Sequence, residues 1–269
     1  MSLNQYIQSR LGLNRDKKFK SRKKNKILLM THLVAGYPSL EDNFKMLDTM
    51  AEANVDLVEI QMPFSEPTAD GPLFVKANQR ALKGGMCWGQ YFDLMKRASL
   101  KFEFPILMMG YYNTVYAMGS GNFCEQINKN GGKGFIIPDL PLEEFGELFS
   151  QSLKQDIDPI MICTPTNSDE RLKKICSKGS GFIYCVARKG VTGKNTKIGK
   201  IEEKFLQKCK RFTKLPLAVG FGLSQPEDLK TLQGKAEIAV VGSALLKTWE
   251  NEGESGYRKL IFSLAAARE

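Results

Sequence analysis

The sequence predicts an α/β fold, a single (β/α)8 TIM barrel with an extra N-terminal helix. From Ile27 onward, short apolar runs alternate eight times with longer amphipathic stretches, and this alternation is typical of a parallel sheet. The runs are apolar on both faces, as strands covered on both sides should be. The 269 residues suit one such barrel, so we predict a single domain spanning residues 1–269.

The eight apolar runs are the predicted strands, and the stretches between them are the predicted helices. The strands are expected at residues 27–34, 57–61, 105–111, 134–137, 159–163, 181–186, 216–219 and 237–241. The helices are expected at residues 40–53, 73–100, 121–130, 142–155, 168–178, 200–212, 225–232 and 243–267. Paired glycines interrupt the second helix at Gly84 and Gly85, and Gly253 and Gly256 interrupt the last.

Two halves of a doubly wound sheet would give the same number of elements. The first strand, however, is not followed by the GxGxxG motif of a dinucleotide-binding half, and no linker divides the chain. These two observations favour the closed barrel. Residues 1–26 are expected to form a basic N-terminal helix or arm that covers the floor of the barrel.

The composition is that of a soluble globular protein, with 42% hydrophobic and 25% charged residues. No apolar run approaches the roughly 20 residues of a membrane-spanning helix, and the N-terminus lacks the apolar core of a signal peptide. We therefore expect a cytoplasmic protein with no membrane association. The six cysteines show neither a CxxC pair nor metal-ligand spacing, so they are expected to be reduced thiols.

The net charge of +10 raises the question of nucleic-acid binding. Much of the excess lies in one basic run at residues 17–26 (KKFKSRKKNK). That run lacks the interleaved aromatic residues of a single-strand binder and is typical of a solvated terminal arm. Nucleic acid is therefore not an expected partner, although a basic surface can attract a small anionic substrate.

Two acidic residues stand out in the stretch VDLVEIQMPFSEPTADGP, residues 55–72. Glu59 interrupts an apolar strand, and an unpaired carboxylate is costly to bury. Asp70 follows in a proline-bracketed loop at the end of the same strand, where barrel enzymes carry their chemistry. Carboxylates in different surroundings can be held one protonated and the other ionised. A salt bridge alone would also explain Glu59, but the second acid favours a catalytic pair.

Glycine-containing loops follow the last three predicted strands. They contain RKGVTG (residues 188–193), GFGLS (220–224) and Gly242-Ser243. Glycine lets backbone N–H groups approach an anion closely. Gly242 and Ser243 also precede a helix, whose N-terminus attracts negative charge. Because a phosphate site at the last strands recurs in barrel enzymes, the sequence predicts a phosphorylated substrate without identifying it.

The motifs EIQMPFSEPTADGP, GYYN, IIPDLPLEE, VARKGVTG, VGFGLSQPED and VVGSALL occur in this order. Together they resemble the tryptophan synthase α subunit family, from about Ala35 to the C-terminus. The resemblance implies a lyase of tryptophan biosynthesis, and so of aromatic amino acid biosynthesis. Its reaction would be the retro-aldol cleavage of indole-3-glycerol phosphate to indole and glyceraldehyde 3-phosphate.

The resemblance also implies roles for individual residues. Glu59 would protonate indole C3 and take the proton of the glycerol hydroxyl. Asp70 would stay ionised, accept a hydrogen bond from the indole N–H and stabilise the cationic indolenine. Tyr184 matches a tyrosine near the glutamate, although a packing role inside the barrel stays open for it. The phosphate would be held by Gly193, Gly222, Gly242 and Ser243, and the indole pocket or its lid would be lined by Tyr111, Ile136, Thr192 and Phe221.

The chain departs from the common family pattern at the ends of the first two strands. His32 and Val34 stand where an aromatic residue and a threonine are more usual, and Gln61 stands where the motif more often has glycine. His32 is the only histidine, and we interpret it as a hydrogen-bonded core residue rather than a base.

The resemblance implies a β subunit as partner, in an α2β2 heterotetramer through which indole passes. The contact would involve the loops at residues 66–72, 112–113 and 138–141. No cofactor or metal is expected in this chain, and the pyridoxal phosphate would belong to the β subunit.

Two other functions remain open from the sequence. Another phosphate-binding TIM-barrel enzyme of amino-acid biosynthesis would share the glycine loops, but it would not be expected to keep Glu59 and the ADGP motif at this spacing. A non-enzymatic nucleic-acid-binding barrel would use the basic arm, and its affinity would fall steeply with salt.

Overall fold

The computed structural model describes residues 2–12, 27–186, 200–220 and 222–268. In these ranges the core of the protein is a sheet whose paired strands are all parallel. Its strands are β1 (Leu28–Val34), β2 (Leu57–Gln61), β3 (Ile106–Met109), β4 (Gly134–Ile136), β5 (Asp158–Pro159), β6 (Met161–Cys163), β7 (Ile183–Cys185), β8 (Leu217–Gly220) and β9 (Ile238–Val241).

The sheet closes into a barrel through one interrupted strand. The order of the strands is β5-β4-β3-β2-β1-β9-β8-β7-β6, so β5 and β6 lie at its two ends. Only Ile160 separates them along the chain, and they therefore form a single strand that pairs with β4 on one side and β7 on the other. Eight barrel strands result, which confirms the predicted TIM barrel.

Helices follow the strands and surround the barrel. They are α1 (Leu3–Arg10), α2 (Leu40–Glu52), α3 (Pro72–Lys83), α4 (Trp88–Lys101), α5 (Tyr112–Met118), α6 (Ser120–Lys129), α7 (Gly146–Lys154), α8 (Asp169–Lys178), α9 (Lys200–Phe212), α10 (Pro226–Leu232) and α11 (Ser243–Ala266). All eight predicted helices are found, with small shifts at their ends.

Two local differences from the prediction have physical reasons, and the predicted interruption of the last helix at Gly253 is found. The short helix α5 was not predicted, because among its residues only Val115 is buried and the segment therefore has no apolar period. The helix expected at residues 142–155 begins as a 3-10 turn, Leu142–Glu144, and becomes α-helical at Gly146. Helix α11 kinks at Gly253, whose φ of 67° is accessible to glycine.

The barrel strands separate two apolar cores. Side chains alternate across each strand, so one set points to the surrounding helices and the other into the barrel. The inner set is closed at the floor by three buried residues of α1, namely Leu3, Tyr6 and Ile7. Helix α1 therefore covers the floor, as expected for the N-terminal segment, whereas the basic run at residues 17–26 lies outside the described residues.

Buried charges tie the two ends of the chain to the floor. Asp56, just before β2, is fully buried and accepts hydrogen bonds from Arg10 Nε at 2.6 Å and Arg268 Nη1 at 2.6 Å. The backbone N–H of Leu29 also donates to Asp56, at 2.9 Å. The first and last described helices are thus held to the same end of the barrel.

All six cysteines are free thiols, and only Cys87 is exposed. None of the helices in the described ranges is both long and apolar enough to cross a bilayer.

Candidate active site

Neighbouring strands place three polar side chains on the inner face of the barrel. His32 of β1 pairs with Glu59 of β2, and Gln61 follows Glu59 by two residues, which puts it on the same face. All three lie near the C-terminal ends of their strands. This is the end at which parallel-barrel enzymes carry their active sites.

These side chains belong to the mouth of the barrel, where a cavity of about 170 Å³ opens. Glu59 and Asp70 both line it, together with His32. Its apolar wall is formed by Phe74, Met109, Ile136, Pro138, Ile162, Val186, Leu223 and Val240. The predicted acid pair and Ile136 are therefore brought together in one largely apolar pocket.

A chain of hydrogen bonds joins the two carboxylates. Glu59 Oε2 lies 3.3 Å from His32 Nδ1, and His32 Nε2 lies 2.9 Å from Gln61 Oε1. Gln61 Nε2 in turn donates to Asp70 Oδ2 at 2.7 Å. Glu59 and His32 are nearly buried, with side-chain exposures of 4% and 9%. The partner that a buried glutamate needs is thus the only histidine of the chain.

Asn78 of helix α3 fixes the loop that carries Asp70. Its Oδ1 accepts from the backbone N–H of Phe64 at 2.9 Å, and its Nδ2 donates to the carbonyl of Phe74 at 2.8 Å and to Asp70 Oδ2 at 3.3 Å. Because helix α3 begins at Pro72, only Gly71 separates Asp70 from its first turn. The carboxylate is therefore anchored from both ends of its loop.

Asp70 and His32 have shifted pKa values. Burial raises the pKa of Asp70, while the hydrogen bond from Gln61 and the charge of His32 act in the opposite direction. For His32, burial lowers the pKa, but the charge of Glu59 and the hydrogen bond to it outweigh this effect and leave the pKa above its ordinary value of 6.5. The protonation of His32 is therefore coupled to both acids.

Tyr111 lies behind Asp70. It is buried, stacks on Phe64 with ring centroids 5.3 Å apart, and its hydroxyl accepts a hydrogen bond from the backbone N–H of Ala69 at 3.2 Å. The same hydroxyl interacts with the Asp70 carboxylate, and burial raises the tyrosine's pKa. Tyr111 thus contacts the loop that carries Asp70. Met109 and Ile136 form the nearby wall of the cavity.

Tyr184 of β7 lines the same cavity as the two acids. Burial raises its pKa, and the charges of Glu59 and Asp70 add to this, so the hydroxyl keeps its proton. Room for the ring depends on Gly220 of β8, because a Cβ at that position would lie 2.9 Å from Tyr184 Cε1 and Cζ.

Gly222, Gly242 and Ser243 also line the cavity. Gly242 precedes the first turn of α11, so the free backbone N–H groups of that helix lie at the cavity. His32 and Phe74 pack against Gly242, where a Cβ would come within 3.1 Å of His32 Cβ. The three remaining predicted residues, Thr192, Gly193 and Phe221, lie outside the described residues, as does most of the loop at residues 188–200.

Sequence reasoning missed two of these positioning residues, Gln61 and Asn78. Both are fully buried amides, and a buried amide needs hydrogen-bond partners. The signal for Gln61 was available, because it follows Glu59 at the two-residue period of an inward strand face. The sequence offered no such signal for Asn78, since most of its partners lie in the strand and loop that precede its helix. No group of three or more His, Cys, Asp or Glu side chains in the described ranges is arranged to hold a metal ion.

Comparison with known proteins identifies the family. A family model for the tryptophan synthase alpha chain matches residues 19–268. The chain is 45% identical to the tryptophan synthase alpha chain of Desulforapulum autotrophicum, over 91% of this chain and 96% of that protein. For the protein of Methanocaldococcus jannaschii the identity is 39%, over 81% of this chain and 77% of that one.

Solved structures agree with these relatives. A chain from the tryptophan synthase α2β2 complex of Pyrococcus furiosus has a TM-score of 0.83 and 31% identity, covering 91% of this chain and all of that one. A chain of Mycobacterium tuberculosis tryptophan synthase has a TM-score of 0.87 and 26% identity, covering 99% and 97%. From its sequence, its barrel and these matches, the chain belongs to the tryptophan synthase alpha chain family.

Proposed function

We propose that Glu59 and Asp70 perform the chemistry of this family at the mouth of the barrel. As a family member, the chain is a lyase of tryptophan biosynthesis that cleaves indole-3-glycerol phosphate to indole and glyceraldehyde 3-phosphate. The observation that carries the residue assignment is the shared cavity. Two carboxylates in unlike surroundings face one apolar pocket, and the N-terminus of helix α11 lines the same pocket.

The proposed reaction needs one proton donated and one accepted at the same side of the substrate. Protonated Glu59 gives its proton to indole C3, which produces an indolenine cation. The carboxylate of Glu59 then takes the proton of the adjacent glycerol hydroxyl. An aldehyde forms there, the bond between C3 and the glycerol carbon breaks, and its electron pair returns to the ring. Glu59 ends the cycle protonated again, as general acid–base catalysis requires.

Asp70 stabilises the charge that this sequence creates. Its carboxylate would accept a hydrogen bond from the indole N–H, where the positive charge of the indolenine is concentrated. Fixed groups aimed at developing charge are effective because they need not reorganise during the reaction. The bonds from Gln61 and Asn78 supply that fixation. Tyr111 supports the same loop, and Tyr184 and Ile136 contact the ring.

The glycines that line the cavity beside helix α11 would hold the phosphate. Gly222, Gly242 and Ser243 offer backbone and hydroxyl donors at the start of α11, a favourable place for an anion. Gly193 would complete the site, and Thr192 and Phe221 would complete the indole pocket, as the family motifs imply. No observation favours a different phosphorylated substrate.

The family assigns the chain a partner as well. The P. furiosus relative is part of an α2β2 complex, and we extend that assembly to this chain, with a tryptophan synthase β subunit that carries the pyridoxal phosphate. In this proposal the present chain acts as one cytoplasmic barrel domain and needs no cofactor of its own.

The test is indole release from indole-3-glycerol phosphate by the full chain, with and without a β subunit. Glu59→Gln removes the proton donor and Asp70→Asn the negative charge, so each should lower kcat by at least about 100-fold. Glyceraldehyde 3-phosphate binding, measured by calorimetry, should persist in both variants because the phosphate end is unchanged.

Matched controls on the outer helices distinguish a loss of catalysis from a nonspecific effect of removing an acidic side chain. Asp93→Asn and Glu41→Gln make the same chemical changes at side chains that are 62% and 81% exposed, and both should keep wild-type activity. Wild-type turnover by Glu59→Gln would refute the assignment of the acid, and failure of the wild-type chain to release indole even with a β subunit would refute the proposed use of this cavity.

A further inference from the structure

The two unusual residues at the ends of the first strands contact each other. The side chains of His32 and Gln61 lie between the two carboxylates, and an apolar residue at either position could not bridge them by hydrogen bonds. Here the ring nitrogen His32 Nε2 lies 2.9 Å from Gln61 Oε1. Together they connect Glu59 to Asp70, a connection that the reaction proposed above does not itself require.

The direction of each hydrogen bond in this connection is determined by groups that can only accept. Asp70 as a carboxylate can only accept, and Asn78 Oδ1 also accepts, since it already receives the backbone N–H of Phe64. Gln61 Nε2 faces both of them, at 2.7 and 3.3 Å, so its amide N–H₂ group must point there. Gln61 Oε1 therefore faces His32, and His32 Nε2 must carry a hydrogen.

One proton is then left for the remaining pair. With Nε2 protonated, a neutral His32 has an acceptor at Nδ1, and the contact of 3.3 Å to Glu59 Oε2 is satisfied when the glutamate carries the proton. If that proton moves to Nδ1, the contact becomes an imidazolium–carboxylate pair. Both arrangements keep every hydrogen bond between Glu59 and Asp70. They differ only in the position of one proton.

We propose that His32 is a positioning residue that shares the catalytic proton of Glu59, and that Gln61 links this shared proton to the charge of Asp70. The inference rests on the proposed function of the acid pair. Its consequence for the reaction is that, before substrate is protonated, His32 Nδ1 holds the proton whenever Glu59 is a carboxylate and returns it to Glu59 for transfer to indole C3. The same contact orients Glu59 and keeps its proton available when Asp70 is ionised.

The charges around His32 are consistent with this role. In the described part of the chain, the titratable groups that act on it are Glu59 and Asp70, both acidic. Phe74 packs edge-on against the ring, with centroids 4.7 Å apart, and Gly242 closes the side toward α11. The surroundings therefore shield the imidazole from water and give each ring nitrogen a hydrogen-bond partner.

A direct test uses the fact that the chain has a single histidine. In full-length protein labelled with 15N-histidine, NMR titration reports His32 alone. We expect a pKa above 6.5, with the neutral ring protonated at Nε2. In Glu59→Gln the pKa should fall by at least about one unit, because burial then acts without the opposing carboxylate. Asp93→Asn is the matched control and should leave the titration unchanged.

Activity provides the second readout. His32→Phe restores an aromatic ring at this position and removes the proton partner, so the alkaline limb of the pH profile of kcat should move to lower pH by about one unit. KM should stay close to that of the wild type, because substrate contacts are retained. Gln61→Leu should produce a smaller shift in the same direction.

The two readouts separate the inference from the function on which it rests. If Glu59→Gln leaves the His32 titration unchanged, or if the neutral ring is protonated at Nδ1, the shared proton is refuted whatever the activity. An unshifted pH profile in a folded His32→Phe variant would also refute it. Absence of indole formation in the wild type, with the NMR result as expected, would refute only the reaction.

Discussion

At the scale of single residues, the site is held by buried polar groups that satisfy each other. Glu59 is nearly buried within a strand, a position that is costly for a carboxylate without a partner. That cost made Glu59 identifiable from sequence. Its partner was not identifiable in the same way, because His32 becomes adjacent only when β1 and β2 pair in parallel. The interpretation of His32 as a hydrogen-bonded core residue agrees with its contacts to Glu59 and Gln61, and the structure adds that its side chain lines the cavity.

Gly220 determines whether Tyr184 fits into the site. Gly220→Ala would place a methyl group against the Tyr184 ring and hydroxyl, and a packed ring cannot yield as the end of a flexible chain can. We expect a loss of about 1–3 kcal/mol in the free energy of unfolding. Because a small displacement of a positioned group lowers catalysis, kcat/KM should fall at least about tenfold.

Urea unfolding and indole release measure both effects. The control is Gly146→Ala at the start of α7, where a Cβ meets no atom within 4 Å; it should leave kcat/KM unchanged and should not lower the free energy of unfolding. Tyr184→Phe removes the hydroxyl, and adding it to Gly220→Ala should recover part of the lost free energy of unfolding. Wild-type stability and kinetics in Gly220→Ala would show that the barrel adapts without moving the ring.

At the scale of elements, hydrophobic patterning was sufficient for the barrel but not for its details. The eight strands and eight helices were predictable because the strands are short apolar runs and the helices bury an apolar face at the helical period. The 3-10 turn at Leu142–Glu144 and helix α5 were not, since their conformations depend on a few tertiary contacts. The loop of Asp70 is an intermediate case. Its prolines predicted a stiff turn. The hydrogen bonds by which Asn78 anchors it could be identified only from the structure.

Helix α1 contributes to stability and lies away from the site. Ile7 is fully buried at the floor, at the opposite end of the strands from the acids. Ile7→Ala removes buried methyl groups and should lower the free energy of unfolding by about 2–5 kcal/mol. The kcat/KM for indole release should stay unchanged under conditions in which the variant is folded.

Chemical denaturation and steady-state kinetics of one preparation check this separation. Gln8→Ala shortens a half-buried polar neighbour and should have little effect on either quantity. If folded Ile7→Ala loses activity while Gln8→Ala does not, then packing at the floor controls the geometry of the mouth, contrary to the expectation.

At the scale of the whole molecule, the barrel divides stability and chemistry between its two ends. The mouth concentrates Glu59, His32 and Asp70 around a cavity, where we propose that buried polar groups support the reaction. The floor concentrates Asp56 with Arg10 and Arg268, where the same kind of group serves to join the chain ends. A buried charge is therefore not by itself evidence of catalysis, and the cavity beside it is what distinguishes the two ends.

The floor cluster predicts strong coupling between residues far apart in sequence. Asp56→Asn leaves two nearly buried guanidinium groups without their carboxylate, and loss of a buried partner costs about 3–5 kcal/mol in the free energy of unfolding. Arg268→Met should also be destabilising in the wild-type background. In the Asp56→Asn background it should cost less, by about 1–3 kcal/mol, because its partner charge is already gone.

A double-mutant cycle by urea unfolding measures this coupling directly. Arg258→Met breaks an exposed ion pair with Glu52 on the surface and serves as the control, since screened surface pairs contribute little. Equal costs of Arg268→Met in both backgrounds would mean that Arg268 acts through its bonds to the carbonyls of Ala53 and Asn54 rather than through Asp56. The expected inequality would instead show that one buried carboxylate joins the first helix, the second strand and the end of the last helix into a single cooperative unit.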